Sequence, residues 1–254
     1  MSNLVPKEEF KKQLIEIIER AVTHDKRVIK FKNMLLDSSN FGDNYPTNPN
    51  KMSFEISSTG ETAYQRAILK SEKTLLDFKK RNDYETVQWM DGELPVVLNE
   101  NSRRFSIDLI GSMDGIPVIC ELKFAGTRNS DSPVYAAIEL LTYYCFIQFN
   151  ADFLDKHNVY HKNFEPFKWN VIVKNGFPRL IVCANKSYWD VWSKKFNMAQ
   201  LRNQVFDWGT ELDTNINLFQ TQDFDFKIQK QEGKYTPFIP ISSIWEIVQI
   251  EKYY

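Results

Sequence analysis

Three charged residues in two neighbouring apolar segments have the types and spacing of a metal-dependent hydrolytic site. Asp108 lies in the first segment, Arg104–Ser112, and Glu121 and Lys123 lie in the second, Ile116–Phe124. Asp114-Gly115 between two alternating segments is the strongest short signal for a β-hairpin. If these two residues form the turn, Asp108 falls opposite Glu121. Alternation along a strand then puts Asp108, Glu121 and Lys123 on one face.

The register of this hairpin is predicted by the residues on its other face. That face is almost entirely apolar: Phe105, Ile107, Leu109, Val118, Cys120, Leu122 and Phe124. A shift by one residue would turn the whole set toward the wrong side of the sheet. Burial therefore favours the register that aligns the two carboxylates.

Two opposed carboxylates repel each other unless a cation lies between them. Mg²⁺ takes hard oxygen ligands, usually one or two carboxylates with water and phosphate, and it activates water and polarises a phosphodiester. Lys123 is placed to neutralise charge and to orient or help deprotonate an attacking water. The alternative is a solvated face on which Lys123 pairs with a carboxylate. Ile110 and Ile119 share the face and argue against full solvation.

The sequence Ile107-Asp108 followed by Glu121-Leu122-Lys123 resembles the PD-(D/E)XK nuclease superfamily, with Ile107 in place of Pro. As a pattern of elements the resemblance covers about residues 58–185. It implies an α/β (α+β) fold with a mixed central β-sheet flanked by helices, a restriction-endonuclease-like core. It also implies Mg²⁺ or Mn²⁺ as cofactor, held by Asp108, Glu121 and the backbone carbonyl of Leu122. Nucleic acid is then the partner; DNA is the expected substrate and RNA is the alternative.

Further site residues follow from the same resemblance. Glu139 and Tyr143 stand where exonuclease-like branches carry Gln-x-x-x-Tyr, with Glu for Gln; the alternative is a polar helix residue beside a core tyrosine. Many members place a metal-facing Glu on the preceding helix, for which Glu61 and Glu72 are the candidates. Glu61 could instead be the acid of a capping box with Ser58. Glu72 could be an exposed charge paired with lysines.

Three arginines are candidates for contact with substrate. Arg103 and Arg104 lead into the segment that carries Asp108, and Arg128 lies in the polar loop that follows Lys123. Basic residues at these places would meet the phosphate backbone. The alternative for the loop is a simple connection.

The elements that must position these residues are predicted from periodicity and turn signals. Asp91-Gly92 is interpreted as a turn, and the helix from Pro133 should be largely buried. We expect helices over Pro6–Val22, Ser58–Lys80, Pro133–Phe149 and Ser187–Phe196, strands over Arg27–Leu36 and Arg179–Ala184, a strand and turn over 85–98, and a strand or short helix over Phe238–Ile250. All belong to one domain: an extension (1–57), the core (58–185) and C-terminal additions (186–254).

Composition excludes some classes of protein. The net charge of −1 gives no global positive field, which argues against a protein that coats DNA but not against an enzyme with one basic groove. Cys120, Cys145 and Cys183 are expected to be buried free thiols, typical of a reducing compartment. The sequence shows no signal peptide and no apolar run of membrane-spanning length. We therefore expect a cytoplasmic protein without a membrane partner.

The sequence thus predicts a metal-dependent phosphodiesterase, a deoxyribonuclease and more specifically an endonuclease, although no residue decides between endo- and exonucleolytic action. A homodimer is compatible with this prediction, because double-strand cutters of the family often dimerise. The main alternative is a binding or scaffolding module that keeps the site without turnover. A hydrolase of another substrate on the same scaffold is a third reading.

Overall fold

The computed structural model describes twelve stretches of the chain, which together hold most of the predicted site. They are residues 6–41, 61–71, 73–78, 84–97, 105–124, 131–157, 168–170, 173, 178–221, 227–231, 234–238 and 244–248. Four candidate residues, Glu72, Arg103, Arg104 and Arg128, lie outside these stretches. Their predicted roles stay predictions.

The chain begins with two helices, α1 (Lys7–Ala21) and α2 (Ile29–Leu36). Pro6 precedes α1, as is common at helix starts. The strand expected over Arg27–Leu36 is wrong. The buried residues of α2 are Phe31 and Leu35, and their spacing of four residues is that of a helix.

Helix α3 spans Glu61–Ser71 and is followed by strand β1, Lys73–Asp77. The helix predicted to continue to Lys80 therefore ends earlier, and Leu75 belongs to the strand. Strand β2 spans Tyr84–Val97 without the turn expected at Asp91-Gly92. A register shift in its pairing lies between Trp89 and Asp91.

The predicted hairpin is confirmed as β3 (Phe105–Met113) and β4 (Ile116–Lys123). Met113 pairs with Ile116 and Leu109 with Cys120, which is the expected register. Asp114 has φ 50° and Gly115 has φ 80°. Positive φ at both residues is what a two-residue type I′ turn requires.

The remaining elements mix helices and strands, and the last four of them are all strands. A long helix, α4, follows the hairpin and extends beyond the predicted end at Phe149. The elements are α4 (Pro133–His157), β5 (Arg179–Asn185), α5 (Lys186–Trp192), α6 (Met198–Glu211), β6 (Asn215–Thr221), β7 (Lys227–Gln231), β8 (Lys234–Phe238) and β9 (Ile244–Ile247). Strands β7 and β8 form a separate two-stranded sheet.

Seven strands form one closed barrel in the order β1-β2-β3-β4-β5-β6-β9. Strands β4, β5 and β6 run parallel to one another, and β1 through β4 are antiparallel neighbours. The barrel closes because β9 pairs with both β1 and β6. The predicted restriction-endonuclease-like core is therefore wrong. Closure depends on a four-residue strand whose partners lie far away in the sequence, so no local pattern reveals it.

Apolar side chains form two clusters. The inner core takes residues from all seven barrel strands and from α3, among them Trp89, Leu122, Phe219 and Trp245. The outer core lies between the barrel and the helices α1, α2, α4, α5 and α6. Phe105 and Ile107, predicted on the same face as Leu109, pack with the outer core, whereas Leu109 packs with the inner core.

No helix among the described residues has both the length and the apolar character needed to cross a membrane. The three cysteines are free and buried, as predicted.

Candidate functional site

The site lies where β3 and β4 separate. Their ladder ends at Leu109 and Cys120, one residue short of the predicted pairing of Asp108 with Glu121. Beyond that point Asp108 Oδ2 accepts a hydrogen bond from the backbone N–H of Leu122 at 2.7 Å. Both backbone groups of a ladder residue point toward the same neighbouring strand. The carbonyl of Leu122 is therefore directed toward the Asp108 side.

Helix α3 holds this open end of the hairpin at two points. Glu61 Oε2 accepts from the backbone N–H of Phe124 at 3.1 Å, and Gln65 Nε2 donates to the backbone carbonyl of Asp108 at 2.6 Å. The two side chains are four residues apart and share one helix face. Glu61 thus bonds the hairpin rather than serving only its own helix.

Gly92 allows α3 to approach this closely. A Cβ at this position would lie 2.6 Å from the carbonyl oxygen of Asp108 and 2.7 Å from Leu69 Cδ1. Those distances are too short for any side chain. The Asp91-Gly92 pair, interpreted from sequence as a turn, is instead the place where the helix meets β2 and β3.

Lys123 is the centre of a buried ion network. Its Nζ donates to Glu121 Oε1 at 2.6 Å and to Glu139 Oε2 at 3.1 Å. The relative exposures of Glu121, Lys123 and Glu139 are 4%, 5% and 7%. The hydroxyl of Tyr143 donates to Glu139 Oε1 at 2.8 Å, one turn along α4. The structure therefore brings together Asp108, Glu121, Lys123, Glu139 and Tyr143.

Burial and mutual repulsion shift the pKa values of the acidic residues in this network. Burial, then repulsion from Asp108 and Glu139, raises the pKa of Glu121 well above its ordinary range. Burial raises the pKa of Asp108 to about 7, with Lys123 opposing the shift. Glu139 is also desolvated, yet its pKa is lowered because the charge of Lys123 and hydrogen bonds with Glu121 and Tyr143 stabilise its charged form.

Two further groups show how charge is distributed around the network. The pKa of Lys123 is raised well above its ordinary value: burial disfavours the cation, and the attraction of Glu121 and Glu139 outweighs it. Glu61 is exposed as a residue, but desolvation of its inward-turned carboxylate raises its pKa. Lys123 therefore stays positively charged. The carboxyl groups around it are stabilised when they share a proton or bind a second cation.

Glu121 Oε2 is the feature that bears most directly on a metal. It is buried, and it has no hydrogen-bond partner among the described residues. A buried carboxylate oxygen without a donor is costly. The neighbouring donor set, the carboxylate of Asp108 and the carbonyl of Leu122, consists of hard oxygens of the kind that Mg²⁺ and Mn²⁺ prefer. In donor chemistry the residues fit a hard divalent cation.

The described residues hold no group of three or more Asp, Glu, His or Cys side chains already arranged to bind a metal ion. Lys123 takes up one oxygen of Glu121 and one of Glu139. Of the two candidate helix acids, Glu61 lies at the site, where it feels the charge of Lys123.

Sequence reasoning missed that Gln65 and the N-terminal helix α2 contribute to the surroundings of the site. Gln65 follows Glu61 at a spacing of four residues, so the face that carries Glu61 gave a usable signal. Lys30 in α2 gave no such signal. The charged residues that act on it, Lys123 and Glu139, lie in β4 and α4, far from it in the sequence.

Comparisons of the chain with protein families, curated proteins and solved structures find no match. The resemblance to PD-(D/E)XK nucleases thus remains an interpretation of a short motif. Function has to be argued from the chemistry of the site itself.

Proposed function

We propose that this chain is a metal-dependent nuclease that hydrolyses phosphodiester bonds of DNA at Asp108, Glu121 and Lys123. One observation carries the proposal. Two acids and a lysine meet at the open end of the hairpin, and an oxygen of the buried Glu121 has no described donor. That arrangement is costly for folding alone, since buried charges are stabilising only when fully compensated.

In the proposed site Asp108, Glu121 and the Leu122 carbonyl would hold Mg²⁺ or Mn²⁺, with Glu61 as a further acid. When bound, the metal would polarise the phosphodiester and lower the pKa of water at the site. Glu139 accepts from the Lys123 ammonium at 3.1 Å and so keeps it beside Glu121. Because its pKa is raised, Lys123 acts as a cation that stabilises charge on the phosphate and orients water, rather than as a base.

A second candidate is the binding module without turnover. The observation in its favour is that Lys123 already forms an ion pair with both Glu121 and Glu139, so each carboxylate has a cationic partner without a metal. In this reading Lys123 is structural and nucleic acid is bound but not cut.

The test is cleavage of linear and circular, single- and double-stranded DNA and of RNA, in Mg²⁺, Mn²⁺ or EDTA. Wild type is compared with Glu121→Ala and Lys123→Ala. The control is Glu211→Ala, which removes an exposed carboxylate paired with Arg20 on the surface. We expect metal-dependent cleavage in wild type and control. Both site variants should lose it by on the order of a hundredfold or more, since each removes charge stabilisation of the transition state.

Metal binding, followed by calorimetry with Mn²⁺, separates the two residues. Glu121→Ala should lose binding and Lys123→Ala should retain it. Full cleavage by the Lys123 variant would contradict the assigned mechanism. Metal and DNA binding without cleavage on any substrate would favour the binding module.

A further inference from the structure

Lys30 on α2 lies in an aromatic cage beside the site. Its ammonium is 4.6 Å from the ring centroid of Phe31, 5.5 Å from that of Phe105 and 4.5 Å from that of Tyr135. It also donates to the hydroxyl of Tyr135. Ring faces attract a cation without neutralising it. Lys30 is half-buried and held in place by groups that carry no negative charge.

This cage is continuous with the ion network of the site. Tyr135 and Glu139 are four residues apart on α4, so they share a face and differ in height by about 6 Å. Phe105 lies on β3, three residues before Asp108. The charges that act on Lys30 are those of Glu139, Asp131, Lys123 and Arg27. Burial lowers its pKa, and the acids oppose that shift.

Lys30 retains unused capacity to bind an anion. An ammonium has three donors, and among the described residues the hydroxyl of Tyr135 is its hydrogen-bond partner; none of their carboxylates forms an ion pair with it. The adjacent Arg27 differs, because it is paired with Asp25 at 2.6 Å and with Asp131 at 2.8 Å. Of these two cations, Lys30 is the one free to meet an incoming anion.

We propose that Lys30 binds a phosphate group of the substrate backbone next to the bond that is cleaved. The inference rests on the proposed nuclease function and extends it to a residue from the N-terminal helices. A caged cation needs little rearrangement to meet phosphate, which lowers the entropic cost of the contact. Lys123 stabilises charge at the reacting phosphate, and Lys30 fixes the strand beside it.

The test measures binding of a fluorescein-labelled DNA oligonucleotide in Ca²⁺, across a series of NaCl concentrations, together with cleavage in Mg²⁺. The variants are Lys30→Gln, Lys30→Arg and Lys32→Gln. Lys32 is the matched control, because it lies on the same helix and pairs with Glu19. We expect Lys30→Gln to weaken binding on the order of tenfold and to reduce the salt slope by about one. Lys30→Arg and Lys32→Gln should bind nearly as wild type.

The salt slope separates a phosphate contact from a structural role, because a merely structural lysine leaves the number of phosphates contacted unchanged. Wild-type binding and cleavage with an unchanged slope in Lys30→Gln would overturn the Lys30 proposal and leave the nuclease standing. A wild type that neither binds nor cleaves any nucleic acid would overturn both. Thermal unfolding of each variant checks that it still folds. If Lys30→Gln does not fold, Lys30→Arg still tests the proposal, because it keeps the positive charge.

Discussion

At the scale of single residues, the site is governed by one buried cation. Lys123 lies between Glu121 and Glu139, and Tyr143 bonds the far oxygen of Glu139. Each member holds the next at a fixed distance, and all three charged side chains are largely buried. Removing one partner leaves the others desolvated and uncompensated, which costs more than the lost contact itself.

Tyr143→Phe tests whether this network is coupled. The change deletes the hydroxyl that donates to Glu139 at 2.8 Å, so it should lower the free energy of unfolding by about 1.5–3 kcal/mol. Urea unfolding of Tyr143→Phe, Glu139→Gln and the double variant gives the coupling energy. Because both changes act on one contact, the double variant should lose less than the two single losses added. Strict additivity would show that Tyr143 acts elsewhere.

At the scale of elements, α3 acts as a clamp on the open end of the hairpin. Glu61 bonds β4 at Phe124, and Gln65 bonds β3 at the carbonyl of Asp108. The backbone groups they satisfy would otherwise be left without a ladder partner. The clamp requires the helix to lie almost in contact with β2, which Gly92 permits.

Gly92→Ala should open this clamp. Its methyl group would come within 2.7 Å of Leu69 Cδ1 on α3 and closer still to the backbone carbonyl of Asp108, so the contact between α3, β2 and β3 must loosen. We expect a loss of about 1–3 kcal/mol in the free energy of unfolding, together with weaker Mn²⁺ binding if the proposed site is correct.

Gly115→Ala is the control for Gly92→Ala. A Cβ at Gly115 meets nothing within 4 Å, although its φ of 80° strains alanine. That variant should lose about 1 kcal/mol through backbone strain and keep its metal affinity. Equal metal affinities in both variants would refute the clamp.

At the scale of the whole molecule, the barrel depends on β9. This strand of four residues joins β1 to β6, and its Trp245 lies in the inner core against Trp89, with ring centroids 5.3 Å apart. A strand of four residues forms few backbone hydrogen bonds. Burial of the large Trp245 side chain therefore provides most of the free energy that holds β9 in the barrel.

Trp245→Ala should therefore destabilise the protein by about 3–5 kcal/mol, the cost of emptying a large buried position. Urea unfolding measures the change. Phe206→Ala is the control, because Phe206 is 66% exposed on α6. Its removal should change the free energy of unfolding by less than about 0.5 kcal/mol. Similar losses in both variants would show that closure by β9 contributes little.

The sequence was informative wherever structure is local. Asp114-Gly115 fixes a two-residue turn, and the alternation around it fixes the register from Met113 to Cys120. The family resemblance singled out Glu139 and Tyr143, and their spacing of four residues on α4 lets them form a hydrogen bond. Sequence reasoning failed where apolar spacing suits two structures, as at Leu75, where a helix was predicted and a strand formed.

The sequence by itself placed Asp108, Glu121 and Lys123 near one another, because a tight turn with alternating flanks does so locally, and the family resemblance added Glu139 and Tyr143, which one helical turn brings together. Tertiary structure alone decided that the sheet closes into a barrel, that Gln65 bonds the backbone carbonyl of Asp108 and that Lys30 comes under the electrostatic influence of Glu139. Those contacts join residues far apart in the chain. Their energy comes from burial and charge compensation in the assembled core, which no window of the sequence contains.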